Sequence, residues 1–177
     1  MGAMDALLAA ERLPRLAERA MRAAITAELG RGSLTPRAVV DRALVIFEAA
    51  AGHRGVRPAL LFGERDRIVR ELHAFLQSRL ATRLRALPLR RLVAAGAAAA
   101  PFSALVRGRR GRIYAVVFAR LPNDGRRLPI LQRMRAAVPT ATRTPVDGVL
   151  VYDFSRGIAL RLYQAGAQRV YRYLRAS

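Results

Sequence analysis

The stretch from Arg112 to Leu121 constrains the fold more than any other part of this chain. Ile113, Ala115, Val117, Ala119 and Leu121 alternate with Arg112, Tyr114, Val116, Phe118 and Arg120. Strand periodicity puts these two sets on opposite faces, and both are apolar through the middle. A strand half open to water has one apolar face only. This pattern predicts a central strand with helices over both faces and other strands on both edges.

The rest of the sequence supplies both. Ala3 to Leu29 is rich in Ala, Leu, Glu and Arg and reads as helix, with Pro14 as a kink or a late start. Gly30-Arg-Gly-Ser breaks it. Thr35-Pro36 then opens a second helix as N-cap and first-turn proline, with Val39, Val40, Ala43, Ile46, Phe47 and Ala50 on one face and Gly52 at its end. A long third helix is predicted from Glu64 to Leu87, burying Ile68, Leu72, Phe75, Leu76, Leu80 and Leu87, and stopped by Pro88. After it the period changes. Phe102–Val106, Val149–Asp153 and Ile158–Tyr163 read as strands, Gly108–Gly111 and Phe154–Gly157 as turns. Leu128–Val138 reads as a helix and Ala165–Leu174 as a closing basic helix. The expected class is α/β (α+β-like): N-terminal helices packed on a mixed four-stranded sheet, in the order ααα-ββ-α-ββ-α. Residues 112–153 would form one right-handed crossover. At 177 residues the chain suits a single domain, with a mainly helical half (1–90) and a basic half containing the sheet (91–177).

Charge sets the function classes. The chain has 32 basic residues against 12 acidic ones, a net charge of +20. All the basic residues are arginine, which grips phosphate with two parallel hydrogen bonds and stacks on bases. A GC-rich coding sequence would also favour arginine; the chemistry is the same. Residues 1–50 hold seven arginines and six acids, whereas residues 51–177 hold 25 arginines and six acids, a balance of +19. No acid occurs between Glu71 and Asp124. A solvated surface normally mixes its signs, so a one-sign stretch of this length points to an anionic partner.

Several chemistries are excluded or unsupported. Without cysteine there are no disulfides, thiolate metal sites or cysteine nucleophiles, and without lysine no Schiff base and no P-loop lysine. The only histidines are His53 and His73, and His73 reads as a structural residue among apolar helix positions. Nucleotide-binding glycine loops and the common hydrolase motifs are absent. Asp147 and Asp153 bracket one strand and Asp124 lies in a turn, where aspartate occurs routinely. No stretch spans a membrane: the longest apolar run, Leu92 to Val106, is interrupted by Gly96 and Pro101. The N-terminus carries no secretory signal. A cytoplasmic protein, nucleoid-associated if it binds DNA, is expected.

The run Ser103-Ala-Leu-Val-Arg-Gly, then Arg112-Ile-Tyr-Ala-Val-Val-Phe-Ala-Arg120-Leu, then Leu131-Gln132 and Gly148-Val-Leu-Val-Tyr, resembles the core of the PD-(D/E)XK nucleases of the RecB and Cas4 type. The resemblance covers about a third of the chain. It implies a metal-binding aspartate on the first strand and an acid, one residue and a lysine on the second. Here the first strand has Ala104 or Leu105, and the second has Phe118 and Arg120; Gln132 alone matches in type. The resemblance therefore implies a nuclease-like fold without its metal site, retaining a basic groove for a nucleic-acid backbone.

The function expected is non-catalytic nucleic-acid binding, DNA favoured over RNA, as a subunit of a replication, repair or defence complex. The expected backbone contacts are Arg83, Arg85, Arg90, Arg91, Arg107, Arg109, Arg110, Arg112, Arg120, Arg126 and Arg127. Arg107, Arg109, Arg110 and Arg112 flank one turn and would converge on a phosphate path. No catalytic residue, metal or cofactor is expected. The N-terminal helices offer a face to a protein partner. Two alternatives stand: an active metal-dependent nuclease using Asp147, Asp153 or Glu71, and a structural subunit for an acidic protein. Single-strand binders interleave aromatics with basic residues, and Tyr171-Arg172-Tyr173-Leu-Arg175 is the densest such mixture. An aromatic content of only 6% favours binding led by the backbone.

Overall fold

The computed structural model describes residues 3–32, 34–86, 102–107, 111–141, 145–164 and 168–174. Four helices come first: α1 (Ala3–Gly30), α2 (Pro36–Gly52), α3 (Phe62–Gln77) and α4 (Arg79–Ala86), with a 3-10 turn at Pro58–Leu60. Then follow β1 (Ala104–Arg107), β2 (Ile113–Ala119), α5 (Arg127–Ala141), β3 (Gly148–Asp153), β4 (Ile158–Leu162) and β5 (Tyr171–Tyr173). The class is α+β. The sheet has five strands, and its spatial order is the chain order. Neighbours are antiparallel except β2 and β3, which run parallel because α5 carries the chain back between them.

Both faces of β2 are covered. Val116 and Phe118, with Ala104, Val106, Leu150 and Tyr152, pack against the layer of α1–α4. Ala115, Val117 and Ala119, with Val149, Val151, Leu160 and Leu162, pack against Leu131 and Val138 of α5. An aromatic cluster joins the helical layer to the sheet. The Phe75 ring centroid lies 5.2 Å from that of Phe118 and 5.0 Å from that of Tyr152, both edge-on. Phe154 closes the cluster at 5.4 Å from Tyr152. Edge-to-face geometry of this kind adds to the burial of the rings themselves.

Three expectations are corrected. The sheet has a fifth strand where the closing helix was predicted. Tyr171, Arg172 and Tyr173 pair with Leu162, Arg161 and Leu160, because the open edge of β4 offers ladder hydrogen bonds and the Tyr-Arg-Tyr alternation has the period of a strand. Residues 165–167 lie outside the described residues. The long third helix is two: Ser78 is extended (φ −71, ψ 156), its N–H donates to the Phe75 carbonyl, and its hydroxyl accepts the Ala81 N–H at 3.3 Å. The break leaves Leu72, Leu76, Leu80 and Leu84 all buried, so the apolar pattern runs across it unchanged. His73 is exposed, so it is not a core residue. The predicted end of that helix at Leu87 and Pro88, and the apolar run up to Pro101, lie outside the described residues. Among the described residues no helix is long and apolar enough to cross a membrane.

Phe75 is fully buried at the meeting of the two layers. Phe75→Ala should cost about 3–5 kcal/mol, read as a lowered denaturant midpoint with an unchanged slope. Tyr152 is also fully buried, and its hydroxyl has no hydrogen-bond partner. Burial, and next the charge of Asp153, push its ionisation up to about 12. The unfolded chain ionises near 10, so this stabilisation is complete below about pH 10 and is lost as pH rises toward 12. Tyr152→Phe should therefore match or exceed the parent at neutral pH and lose less stability between pH 10 and 12, measured by urea unfolding at both pH values.

Candidate nucleic-acid interface

The parallel pair β2–β3 has two ends, and each gathers charge differently. At the C-terminal end, strand alternation turns Arg120 toward the helical layer. Its guanidinium forms a close ion pair with Glu71 of α3. Arg67, one turn earlier on α3, pairs closely with Glu64, approaches Glu71 at 3.8 Å and donates to the Pro14 carbonyl of α1 at 3.2 Å. Glu18 of α1 joins this group and pairs with Arg22 at 3.9 Å. Burial raises the pKa of Glu18 against the pull of Arg22 and Arg120. Burial likewise lowers those of Arg67 and Arg120, each cation adding to the other's cost only at Arg120, where Arg67 is the next cause. This is a half-buried ion cluster that ties α1 and α3 to the sheet.

Asp153, on the other face of the same end, is a latch. Its Oδ1 accepts the Leu121 N–H at 3.2 Å, the Ser155 N–H at 3.0 Å and the Ser155 hydroxyl at 2.6 Å. It thereby holds the loop after β2 to the β3–β4 turn. Arg127 of α5 is buried too, with its Nη2 3.9 Å from Asp153 Oδ2 and its guanidinium over the Tyr171 ring.

The expected contact residues thus scatter. Arg120 and Arg127 are committed inside the fold. Arg126 pairs with Asp124 at 2.8 Å, and that bond holds the Asp124 carboxyl below its ordinary range. Arg85 donates to the Leu76 carbonyl at 2.8 Å. Arg83 is exposed on α4, and Arg107 is half-buried on the α5 side of the sheet. Arg112 is exposed and lines a cleft with Arg161. Arg107 and Arg112 therefore do not converge, because alternation along β1 places Arg107 with Leu105 against α5. Arg90, Arg91, Arg109 and Arg110 lie outside the described residues.

The carboxylates of the nuclease alternative do not converge either. Asp147 and Asp153 stand at opposite ends of β3, about 20 Å apart at the rise of a strand. Glu71 is engaged by Arg120. Phe118, at the position where the family has its acid, is fully buried in the aromatic cluster. Among the described residues no group of three or more histidines or acids has the geometry to hold a metal ion.

The N-terminal end of the pair is different. Here Tyr114 of β2 pairs with Gly148 of β3, while Arg161 of β4 pairs with Leu150 of β3 on one side and with Arg172 of β5 on the other. Tyr114 and Arg161 close over Gly148: a Cβ there would be in ordinary contact with both, 3.4 Å from the Tyr114 ring and 3.7 Å from Arg161 Nε. The Arg161 guanidinium reaches over β3 and lies 5.6 Å from the Tyr114 centroid. Arg172 lies 5.9 Å from the Tyr163 centroid on the same face. Arg161 and Arg172 are direct cross-strand partners, a like-charge pairing that destabilises a sheet. Neither has a carboxylate within ion-pair distance among the described residues.

The sequence reading missed Arg161 and Arg172. The signal for Arg161 was present, since Ala159, Arg161 and Tyr163 share a face opposite Leu160 and Leu162. Arg172 was placed on a helix, which hid its pairing.

The chain matches no protein-family model, no curated protein and no solved structure. The reading of its function rests on the residues themselves.

Arg120→Ala should lower stability by about 1–3 kcal/mol at neutral pH, since it leaves Glu71 and Glu18 facing one cation fewer in a partly exposed site. The loss should shrink toward pH 4, where Glu18, its pKa raised by burial, takes up a proton and no longer needs the guanidinium. Urea midpoints at both pH values check this; an equal loss at both would show that packing, not charge, is what Arg120 supplies.

Proposed function

We propose that the protein binds nucleic acid, DNA in the first place, by its phosphate backbone and without catalysis, through the arginines at the β4–β5 end of the sheet. One observation carries this reading: Arg161 stands directly opposite Arg172, each laid on a tyrosine, and neither has an acid partner among the described residues. An anion between or above them would remove the like-charge cost, and the tyrosines hold both guanidiniums in fixed planes.

The distribution of ion pairs supports it. In the helical layer arginines meet acids: Arg31 and Arg42 meet Glu28, Arg37 meets Asp41, and Arg65 meets Glu48. The larger part of the excess positive charge falls on the sheet half, where residues 91–177 hold 16 arginines against three acids, and it directs a field at a polyanion. The resemblance to the PD-(D/E)XK core agrees with a nucleic-acid ligand. In that reading Arg120 has taken the place of the lysine and now serves the ion cluster with Glu71. The role of such a protein as a subunit of a replication, repair or defence complex belongs to the same proposal.

A fluorescence-anisotropy titration of labelled duplex DNA at two salt concentrations tests it. Affinity should fall steeply with salt. The double variant Arg161→Ala, Arg172→Ala should bind all sequences more weakly and lower the slope of log K against log salt by about two units, one per lost phosphate contact. Arg31→Ala, which removes an arginine already paired with Glu28, should change neither. Unchanged affinity and slope in the double variant would move the interface elsewhere.

A further inference from the structure

The same end of the sheet contains a cleft of about 410 Å³, lined by Arg112, Asp147, Arg161, Leu162, Tyr163 and Gln164. We propose that this cleft takes one nucleotide of a single-stranded nucleic acid: the base against Tyr163, its amino edge on Asp147 and Gln164, and its phosphate on Arg161 and Arg172. This inference rests on the nucleic-acid reading above and adds to it the class of strand and the kind of base.

The cleft has the volume of a small-ligand site, within the usual span of about 300–1,000 Å³. A duplex meets a protein with its backbone and groove edges, and its bases are paired and stacked. A recessed cleft beside a phosphate site is reached only by a base that can leave the stack, as single-stranded bases do. The lining is mixed as base recognition requires. The half-buried Tyr163 ring supplies flat apolar surface. Arg112 and Arg161 supply charge for the backbone, and Arg161 and Arg172, each with one face on a tyrosine, leave the other face for a neighbouring base. Asp147 and Gln164 supply directional groups.

Asp147 decides which base. Its Oδ2 accepts the Ile113 N–H at 2.7 Å, and its own N–H donates to the Ile113 carbonyl at 2.7 Å, so the carboxylate is anchored to the start of β2. Its other oxygen has no hydrogen-bond partner among the described residues. A carboxylate accepts and cannot donate, so it favours a base with an exocyclic amino group, such as cytosine N4, over thymine, whose corresponding position is an acceptor. A carboxylate at the rim also repels a phosphate placed there, which directs the backbone toward the arginines.

The test uses the full chain and labelled oligonucleotides about 12 nucleotides long, within the site sizes of single-strand binders. These are oligo(dC), oligo(dT), a mixed-sequence single strand in DNA and RNA form, and the duplex of that sequence. The mixed single strand should bind about tenfold more tightly than its duplex, and oligo(dC) about fivefold more tightly than oligo(dT), the low end of base discrimination by one side chain. Asp147→Asn, which keeps an acceptor for the Ile113 N–H and adds a donor for thymine O4, should abolish the preference for dC, with dT bound at least as tightly as by the parent. Tyr163→Ala should weaken single-strand binding about tenfold, as loss of one stacked base does, while Tyr163→Phe keeps it. Tighter binding of the RNA form would support the inference and assign the strand to RNA. A duplex bound as tightly as the single strand, with Tyr163→Ala without effect, would overturn this inference and leave the backbone reading intact. No salt-dependent binding to any of the probes would overturn both.

Discussion

The burial of β2 on both faces is the constraint on which the rest of this structure depends. A strand apolar on both sides has to be central, and it needs one helical layer over each face. Here α1–α4 cover the face of Val116 and Phe118, and α5 covers the face of Ala115 and Val117. The second layer can be placed only by leaving the sheet after β2 and returning beside it. This is why β2 and β3 are parallel in an otherwise antiparallel sheet. Phe75 then locks the larger layer to the sheet through its contacts with Phe118 and Tyr152.

That crossover gives the sheet two unlike ends. At the C-terminal end of β2 and β3 the side chains lie close to the helices, and charge is tolerated only when compensated. Arg120 is held by Glu71, and Asp153 Oδ1 takes two backbone donors and the Ser155 hydroxyl while its Oδ2 faces Arg127 at 3.9 Å. Removing water from an ion costs several kcal/mol, so these groups serve the fold before they can serve any ligand. At the N-terminal end Arg161 is half-buried and Arg172 exposed. Arg161 and Arg172 can remain without acid partners there because water still solvates them, and Tyr114 and Tyr163 fix where they lie. A fixed, uncompensated guanidinium pair is the arrangement a phosphate chain would complement.

The division of charge within the chain follows the same logic. The near-neutral helices α1 and α2 can pack on one another at little electrostatic cost, and their exposed ion pairs contribute little either way. An excess of cations in the sheet half raises the energy of the protein alone and lowers that of a complex with a polyanion. The proposed function therefore uses a feature that folding by itself disfavours.

Much of the fold was legible in the sequence, because hydrophobic period reports burial directly. The helices at 36–52 and 127–141, the strands at 104–107, 113–119, 148–153 and 158–162, and the central place of β2 all follow from spacing alone. The net charge and its bias to the second half are also properties of composition. Other features needed the tertiary structure. Ser78 interrupts a helix whose apolar period continues through the break, so no local pattern marks it. Residues 171–173 form a strand because β4 offers an open edge, and three residues are too few to declare a period. The roles of the arginines were the least legible, because Arg120, Arg127 and Arg161 are chemically identical. Only the packing decides that the first meets Glu71, the second is buried at the start of α5 over Tyr171, and the third crosses Gly148 to lie on Tyr114. Period tells which residues leave water; which charges remain in it depends on long-range contacts that no local spacing encodes.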